Sequence, residues 1–152
     1  MPNRQKLLER KQLAWKGTSM GKSLTTKERI IFESLNLFSQ KGYDGVSIRD
    51  IAAAVGVKGA SIYNHFAGKE EILNAIFFEM TKRYDSISDS LAVPRGEINE
   101  IADTYMQITE ADLQLMAQGL FSFFIKDDFA CKFRKMLIVE QHKNKLARDT
   151  LK

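Results

Sequence analysis

Residues 47–69 read SIRDIAAAVGVKGASIYNHFAGK, and this stretch decides the fold because two short helical patterns meet in it at a glycine. Ser47 can cap the first helix while Asp50, three residues later, accepts a hydrogen bond from the N–H of the cap residue. Apolar residues such as Ile51 recur at three and four residues, so that one face packs against a partner helix. Gly56 stands where this helix must end, because a residue without Cβ adopts a left-handed backbone at little cost. The stretch therefore predicts a helix-turn-helix.

The second helical pattern of the motif leaves an outward surface. Ile62 and Phe66 are four residues apart and can share a buried face. Small or hydrogen-bonding residues turn outward, where a merely solvated face would usually carry Glu and Lys. In helix-turn-helix proteins this surface meets base edges in the major groove, so the pattern predicts double-stranded DNA as a partner. The outward residues are Gly59, Ala60, Ser61, Tyr63 and Asn64.

The distribution of charge bears on the alternative to DNA binding. Short helix pairs joined at a glycine also occur in helical protein-interaction modules, which would use the motif only for packing. Residues 1–69 hold 12 Lys and Arg against 5 Asp and Glu, a net charge of +7, whereas residues 70–152 hold 11 against 14, a net charge of −3. A basic first half followed by a mildly acidic remainder favours an N-terminal domain, the head, that binds phosphate groups. The remainder, the body, would then have a different function.

The segment upstream of the motif predicts the first helix of this head. Thr25 and Glu28 form a second capping box, and Gly42 closes the helix. Tyr43 then fills the join to the next helix. The predicted core face of the first helix consists of Ile31, Leu35 and Phe38, with Ile30, Ser34 and Leu37 beside it.

Residues 26–78 resemble a known family. Their centre reads FSQKGYDGVSIRDIAAAVGVKGASIYNHFAGKEEIL and is similar to the N-terminal domain of the tetracycline-repressor (TetR) family of bacterial transcriptional regulators. The resemblance implies an all-α fold, in which a three-helix DNA-binding head is joined by a connector helix to a helical body that binds ligand and forms the dimer. It further implies a homodimeric repressor that binds a palindromic operator and responds to a small-molecule effector. The residues at the family's spacing are Phe38, Gly42, Tyr43, Ser47, Ile51, Ala52, Gly56, Val57, Ser61, Tyr63, His65, Phe66, Lys69 and Glu70.

The resemblance assigns DNA contacts to positions of the motif. Arg49, at the start of the second helix of the head, which is the helix that Ser47 caps, can reach a phosphate or a guanine edge. Because Gly59 and Ala60 are small, readout there would rest on thymine methyl groups and on close approach of the backbone. Asn64 can pair with adenine. The complete predicted DNA-binding set is Ser47, Arg49, Lys58, Gly59, Ala60, Ser61, Tyr63, Asn64, His65 and Lys69.

Several of these positions have a structural alternative. Tyr63, His65 and Lys69 match phosphate-contacting positions of the family. Instead, Tyr63 could pack its ring on the second helix, His65 could be a half-buried core residue and Lys69 a solvated charge. Ser47 is a helix cap first and a phosphate donor second. Lys58 departs from the family pattern, because Ser or Thr is common there and a lysine cannot accept the N–H bond of a helix cap.

Beyond the motif the sequence remains helical and rich in Phe and Met. Such side chains at helical spacing are more often plain core than a ligand cage. The family resemblance favours an effector pocket, although no charged cluster identifies the ligand class. The predicted helices cover residues 69 to about 88, 97–108, 111–125, and 127 or 128 to about 151, with a break at 93–96. The predicted pocket residues are Phe77, Tyr105, Met106, Met116, Phe121, Phe124 and Phe133.

Three domains are predicted along the chain: a basic N-terminal segment (1–24), the helix-turn-helix domain (25–70) and a helical regulatory domain (71–152) that we expect to be incomplete. Residues 1–19 are either a flexible arm that adds phosphate contacts or an artefact of the chosen start site, with Met20 as the natural start; we favour the second. Relatives commonly continue through two further long helices, so this chain is either a fragment or a member with a reduced body. A fragment would expose an apolar face, with Leu137, Ile138 and Val139 as candidates.

The sequence argues against an enzyme. The two histidines, His65 and His142, and the one cysteine, Cys131, lie far apart, and no Gly-rich phosphate loop is present. The pair Asp127 and Asp128 is predicted to cap the last helix rather than to catalyse a reaction. No metal or cofactor is predicted. A single cysteine, the lack of a signal peptide and the lack of an 18-residue apolar stretch predict a soluble cytoplasmic protein with no membrane partner.

Overall fold

The computed structural model describes residues 24–141, except for the side chains of Asn99 and Glu100. This part of the chain contains helices and no strand, which confirms the predicted all-α fold. The predicted N-terminal segment, His142 and the predicted end of the last helix lie outside the described residues. The helices are α1 (Thr26–Lys41), α2 (Ile48–Val55), α3 (Gly59–Tyr63), α4 (Lys69–Ser90), α5 (Ile98–Met106), α6 (Glu110–Lys126) and α7 (Asp128–Glu140).

The described chain forms two compact units. The head unit combines residues 24–82 with residues 125–141, and the second unit comprises residues 83–124. The head unit is therefore larger than the predicted domain at 25–70, because it includes the first part of α4 and the whole of α7. Its buried apolar side chains are Ile30, Leu35, Phe38, Val46, Ile51, Ala52, Val55, Ile62, Phe66, Ile72, Leu73, Ile76, Met80, Phe129, Ala130, Phe133, Met136 and Leu137.

Helix α1 begins and ends as its sequence predicts. The Thr25 hydroxyl accepts a hydrogen bond from the Glu28 N–H at 3.2 Å, and the Thr25 N–H donates to the Glu28 carboxylate at 2.8 Å. The helix ends at Gly42, whose φ of 75° only glycine adopts readily. Its buried face is rotated slightly from the predicted one, because Ile30 is fully buried whereas Ile31 is only half-buried.

Helix α7 packs against α1 and supplies part of the head core. The rings of Phe32 and Phe129 meet edge to face with centroids 5.3 Å apart. Leu137 lies four residues beyond the buried Phe133, so it shares the face of α7 that points into this core and is only 4% exposed. Leu137, one of the three candidates for an exposed apolar face, therefore does not belong to such a face. The next two residues, Ile138 and Val139, are 52% and 42% exposed.

The second unit is held together more loosely. Leu91 and Phe123 are its buried apolar side chains among the described residues. Leu91 lies so close to Gly119 that a Cβ there would come within 2.6 Å of the leucine side chain. On its surface, the Arg95 guanidinium forms ion pairs with Asp85 at 3.0 Å and with Asp89 at 3.5 Å.

Candidate nucleic-acid interface

The predicted capping box fixes the start of α2. The Asp50 carboxylate accepts hydrogen bonds from the Ser47 hydroxyl at 2.6 Å and from the Ser47 N–H at 2.8 Å, while the Ser47 hydroxyl accepts one from the Asp50 N–H. The hydrogen bonds from Ser47 hold the pKa of the Asp50 carboxyl below its ordinary value. Ser47 is thus a helix cap, and its contact with phosphate stays a prediction. Arg49, one position into the helix, is exposed.

The turn of the motif has the geometry that Gly56 predicts. Gly56 is left-handed, with φ 76° and ψ 36°, and the Val57 N–H returns to the Ala52 carbonyl at 2.9 Å. The Arg29 guanidinium of α1 also donates to the Val55 carbonyl at the end of α2. Sequence reasoning missed this contact of Arg29, because it joins residues 26 positions apart and no local pattern marks it.

Helix α3 presents the face that the sequence predicts. Ile62 is fully buried and Phe66 is 2% exposed, so both anchor the helix. Lys58 stands at the N-cap without a side-chain hydrogen bond, as predicted for a lysine. Tyr63 is 59% exposed, which argues against the alternative that its ring packs on α2. Of the other predicted contact residues, Lys58, Ala60 and Asn64 are exposed, whereas Gly59, Ser61 and His65 are half-buried.

Lys69 is engaged inside the head. Its ammonium donates to the Tyr43 carbonyl at 2.7 Å and to the Val46 carbonyl at 2.9 Å, and lies 4.2 Å from the centre of the Tyr43 ring. The alternative of a merely solvated charge is therefore wrong. An ammonium has three protons, so phosphate contact by Lys69 stays a prediction. Burial, followed by the nearby carboxylates with Glu70 foremost, raises the pKa of the Tyr43 phenol.

The excess of positive charge is concentrated before the described residues. Residues 24–69 hold six Lys and Arg against four Asp and Glu, whereas residues 1–23 hold six against one. The helix-turn-helix surface is therefore only mildly basic. Its attraction to DNA would depend on individual exposed cations such as Arg49 and Lys58 rather than on a broad basic patch.

The predicted pocket residues are divided between the two units. Phe77 and Phe133 lie in the head unit, where their rings meet edge to face at 5.0 Å. The other five lie in the second unit, where Met106 is 89% exposed and Phe121 is 68% exposed. Tyr105 and Phe124 are also exposed and Met116 is half-buried. The effector pocket stays a prediction.

Two further features are absent from the described residues. Between residues 24 and 141, no group of three or more His, Cys, Asp or Glu side chains is arranged to hold a metal ion. In the same range, none of the helices has the length and apolar character needed to cross a membrane.

Comparison with known proteins agrees with this geometry. Residues 30–76 match the family model of bacterial regulatory proteins of the TetR family. Two curated relatives are the biofilm operon icaADBC HTH-type negative transcriptional regulators IcaR of Staphylococcus epidermidis and of Staphylococcus aureus strain Newman. Each is 50% identical over 46 residues, which is 30% of this chain and 25% of the relative's length. The chain thus matches only about a quarter of these relatives.

A solved structure supports the fold. A crystal structure from Mesorhizobium loti, assigned to the TetR family of transcriptional regulators, is 23% identical to this chain with a TM-score of 0.56. The likeness covers 82% of this chain and 57% of that one. The family match, the capped helices and the glycine turn together identify residues 30–76 as an N-terminal domain of the TetR type of bacterial regulatory proteins.

Proposed function

We propose that this protein is a DNA-binding transcriptional regulator whose α2 and α3 read a DNA site. The observation that carries the proposal is the outward face of α3 within the segment that matches the family. Ile62 and Phe66 are buried as anchors, while Ala60, Tyr63 and Asn64 are exposed beside them. Insertion into the major groove requires a helix with one apolar face that packs on the domain. Its other face must be exposed and carry small or polar residues.

Specific roles follow from the chemistry of the exposed side chains. The lack of a Cβ at Gly59 would let the α3 backbone approach the base edges closely, and Ala60 would contact a thymine methyl group. Asn64 would pair with adenine. Tyr63 would donate its hydroxyl to a phosphate, and the exposed Arg49 would reach a phosphate or a guanine edge. His65 and Lys69 would add phosphate contacts.

We further propose that the protein represses transcription as a ligand-responsive homodimer. The matched relatives are named as negative regulators, which supports repression. Two heads related by a twofold axis would read a palindromic operator with recognition helices roughly 34 Å apart. An effector bound by the helical body would release the DNA if it favoured a conformation in which this spacing is lost.

The alternative functions have less support. The names of the matched relatives describe regulators and no enzyme, in agreement with the sequence expectation. An interaction module that uses the motif only for packing has no need to expose Tyr63 and Asn64 beside a tightly anchored α3. As a regulator of this kind the protein would act on the bacterial chromosome, and so in the cytoplasm.

Selection of bound sites from a random pool of duplex DNA tests the proposal. At a stated salt concentration of about 0.1 M, where phosphate contacts are still effective, we expect enrichment of one sequence whose two halves are inverted repeats. Enrichment of a single half-site would support DNA reading and contradict the homodimer. Failure to enrich any sequence, with affinity lost uniformly as salt rises, would contradict sequence reading and leave the interaction module.

Two conservative variants separate positioning from reading. Tyr63→Phe removes only the exposed hydroxyl and should weaken binding to every duplex by roughly the same factor, because phosphate contacts carry no sequence information. Asn64→Ala should change the preferred base at one position of the site, at a cost of about 1–3 kcal/mol against the parent sequence. Binding titrations on the selected duplex and on a scrambled duplex measure both effects. A uniform loss with Asn64→Ala would remove its role in reading.

A direct test of induction uses the same titration. Compounds that raise the midpoint of thermal unfolding of the full chain should be added at saturation to the complex with the selected duplex. We expect at least one such compound to weaken DNA binding by about fivefold or more, the lower range of allosteric coupling. Compounds that bind the protein and leave DNA affinity unchanged would contradict the ligand response.

A further inference from the structure

One carboxylate is buried in the head unit, and neither the capping of helices nor the proposed DNA contacts uses it. Glu140, the last residue of α7, is 5% exposed and is the one buried charged side chain among the described residues. Its Oε1 accepts a hydrogen bond from the Tyr43 N–H at 2.7 Å. The carboxylate thus binds the backbone immediately after Gly42, in the connection between α1 and α2.

The close approach of this carboxylate depends on Gly42. A Cβ added at Gly42 would lie 2.9 Å from Glu140 Oε1 and 3.5 Å from the Val139 side chain, and the φ of 75° at Gly42 disfavours any other residue. The glycine therefore ends α1 and also leaves space for the end of α7. A hydrogen bond from a backbone N–H to a carboxylate is charge-assisted and stronger than one to a neutral acceptor.

Lys69 holds the same residue from the other side. The ammonium at the start of α4 binds the Tyr43 carbonyl and the Val46 carbonyl, so Tyr43 has its N–H held by α7 and its C=O held by α4. Val46 immediately precedes Ser47, the cap of α2. The connection that sets the direction of α2 is therefore fixed by two oppositely charged side chains, each from a helix outside the helix-turn-helix.

We infer that Glu140 is a positioning residue for DNA reading: through the Tyr43 N–H it holds the connection before α2, and so the orientation in which α2 and α3 meet DNA. Glu140 itself makes no contact with DNA. This inference rests on the proposed function. It makes α7, remote in sequence from the motif, a part of the DNA-binding head.

Two substitutions at Glu140 separate the effect of the hydrogen-bond geometry from the effect of the charge. Glu140→Gln keeps the reach of the side chain and an oxygen that can accept the Tyr43 N–H, but removes the charge. Glu140→Asp keeps the charge, but withdraws the acceptor by one methylene. Asp128→Asn is the matched control, because it removes one carboxylate charge from the exposed side of the same helix, where Asp128 pairs with Lys132.

The experiment measures two properties of the full chain below its unfolding temperature. One is the hydrogen-exchange rate of the Tyr43 amide without DNA, and the other is the affinity for the selected duplex. For Glu140→Asp we expect exchange of this amide to quicken and DNA affinity to fall, each by about tenfold, as the loss of one buried hydrogen bond implies. Glu140→Gln should stay within about threefold of the parent in both, and Asp128→Asn should match the parent.

The outcomes distinguish failure of the positioning role from failure of the proposed function. If the parent chain binds no duplex, the proposed function fails and the positioning role fails with it. If the parent binds DNA and Glu140→Asp binds equally well while its Tyr43 amide exchanges faster, the hydrogen bond exists but does not position the reading helices. If Glu140→Gln loses affinity as strongly as Glu140→Asp, charge rather than the acceptor geometry matters. Either of the last two results overturns the inference alone.

Discussion

The head unit and the second unit differ in how completely they bury their apolar side chains. Of the 20 buried apolar residues in the described chain, 18 belong to the head unit, and only Leu91 and Phe123 belong to residues 83–124. The second unit instead exposes large apolar side chains, with Met106 at 89% and Ile98 at 83%.

The difference shows which unit has a complete core of its own. The head unit has a core, helix caps and a left-handed glycine that support one another, so its outward face is presented by a fixed scaffold. Residues 83–124 do not complete a core from their own side chains. Exposed apolar surface of this kind is typical of interaction sites. The proposed dimer and effector would therefore involve the second unit more than the head.

The largest expected difference concerns a matched pair of phenylalanines. Phe38→Ala empties a fully buried position in the head and should lower the free energy of unfolding by about 3–5 kcal/mol. Phe121→Ala removes a ring that is 68% exposed in the single chain and should change it by about 0.5 kcal/mol or less at protein concentrations where the chain is monomeric. Urea unfolding of the two variants and the parent measures both values. An equal loss for both would mean that Phe121 is buried in the protein as it exists in solution.

A pair of glycines tests the motif itself. Gly56→Ala places a Cβ on a left-handed residue and should destabilise the protein by about 1–2 kcal/mol. Gly59→Ala should leave stability unchanged, because a Cβ there meets no atom within 4 Å, yet it should weaken DNA binding if the backbone approaches the bases. Thermal unfolding and duplex titration of the two variants distinguish these effects. Undiminished DNA affinity of Gly59→Ala would argue against close backbone approach.

The smallest of these effects is that of the α2 cap and its pH dependence. Ser47→Ala should destabilise the protein by about 1 kcal/mol at pH 7. Because the pKa of the Asp50 carboxyl is lowered in the folded protein, its stabilising contribution is present above the ordinary value near 4 and is lost as pH falls through the lowered pKa. Urea unfolding between pH 7 and pH 2.5 should therefore show the variant approaching the parent in stability. A gap that stays constant with pH would contradict the shared hydrogen bond.

The features that sequence predicted correctly are those whose signals lie within a few residues. The capping box of Ser47 and Asp50, the glycine turn and the burial of Ile62 and Phe66 each follow from spacing of three or four residues. The contacts that were missed join distant segments. Arg29 with Val55 and Glu140 with Tyr43 are examples, and no local pattern marks either. The burial of Leu137 was missed for the same reason, since it depends on the packing of α7 against α1.

Lys69 shows how far the contacts of the candidate site can be predicted from sequence. Sequence placed it at the start of α4 correctly, but its side chain turns to the carbonyls of Tyr43 and Val46. An ammonium donates to whichever unpaired carbonyl groups lie within its reach. The positions of these carbonyl groups arise only in the folded chain, because they belong to other segments. The helical period, in contrast, predicted that Tyr63 turns outward, although packing of its ring on the preceding helix was left open until its exposure of 59% was known.

The most direct test of DNA reading by the outward face of α3 compares two exposed aromatic residues of the head unit. Tyr63→Ala and Phe78→Ala remove side chains that are 59% and 72% exposed, so neither should disturb the core. In a fluorescence anisotropy titration of the selected duplex, we expect Tyr63→Ala to bind about tenfold more weakly, as the loss of a hydrogen bond to a charged phosphate implies. Phe78→Ala, on α4, should bind like the parent. Equal affinities for the two variants would contradict the account.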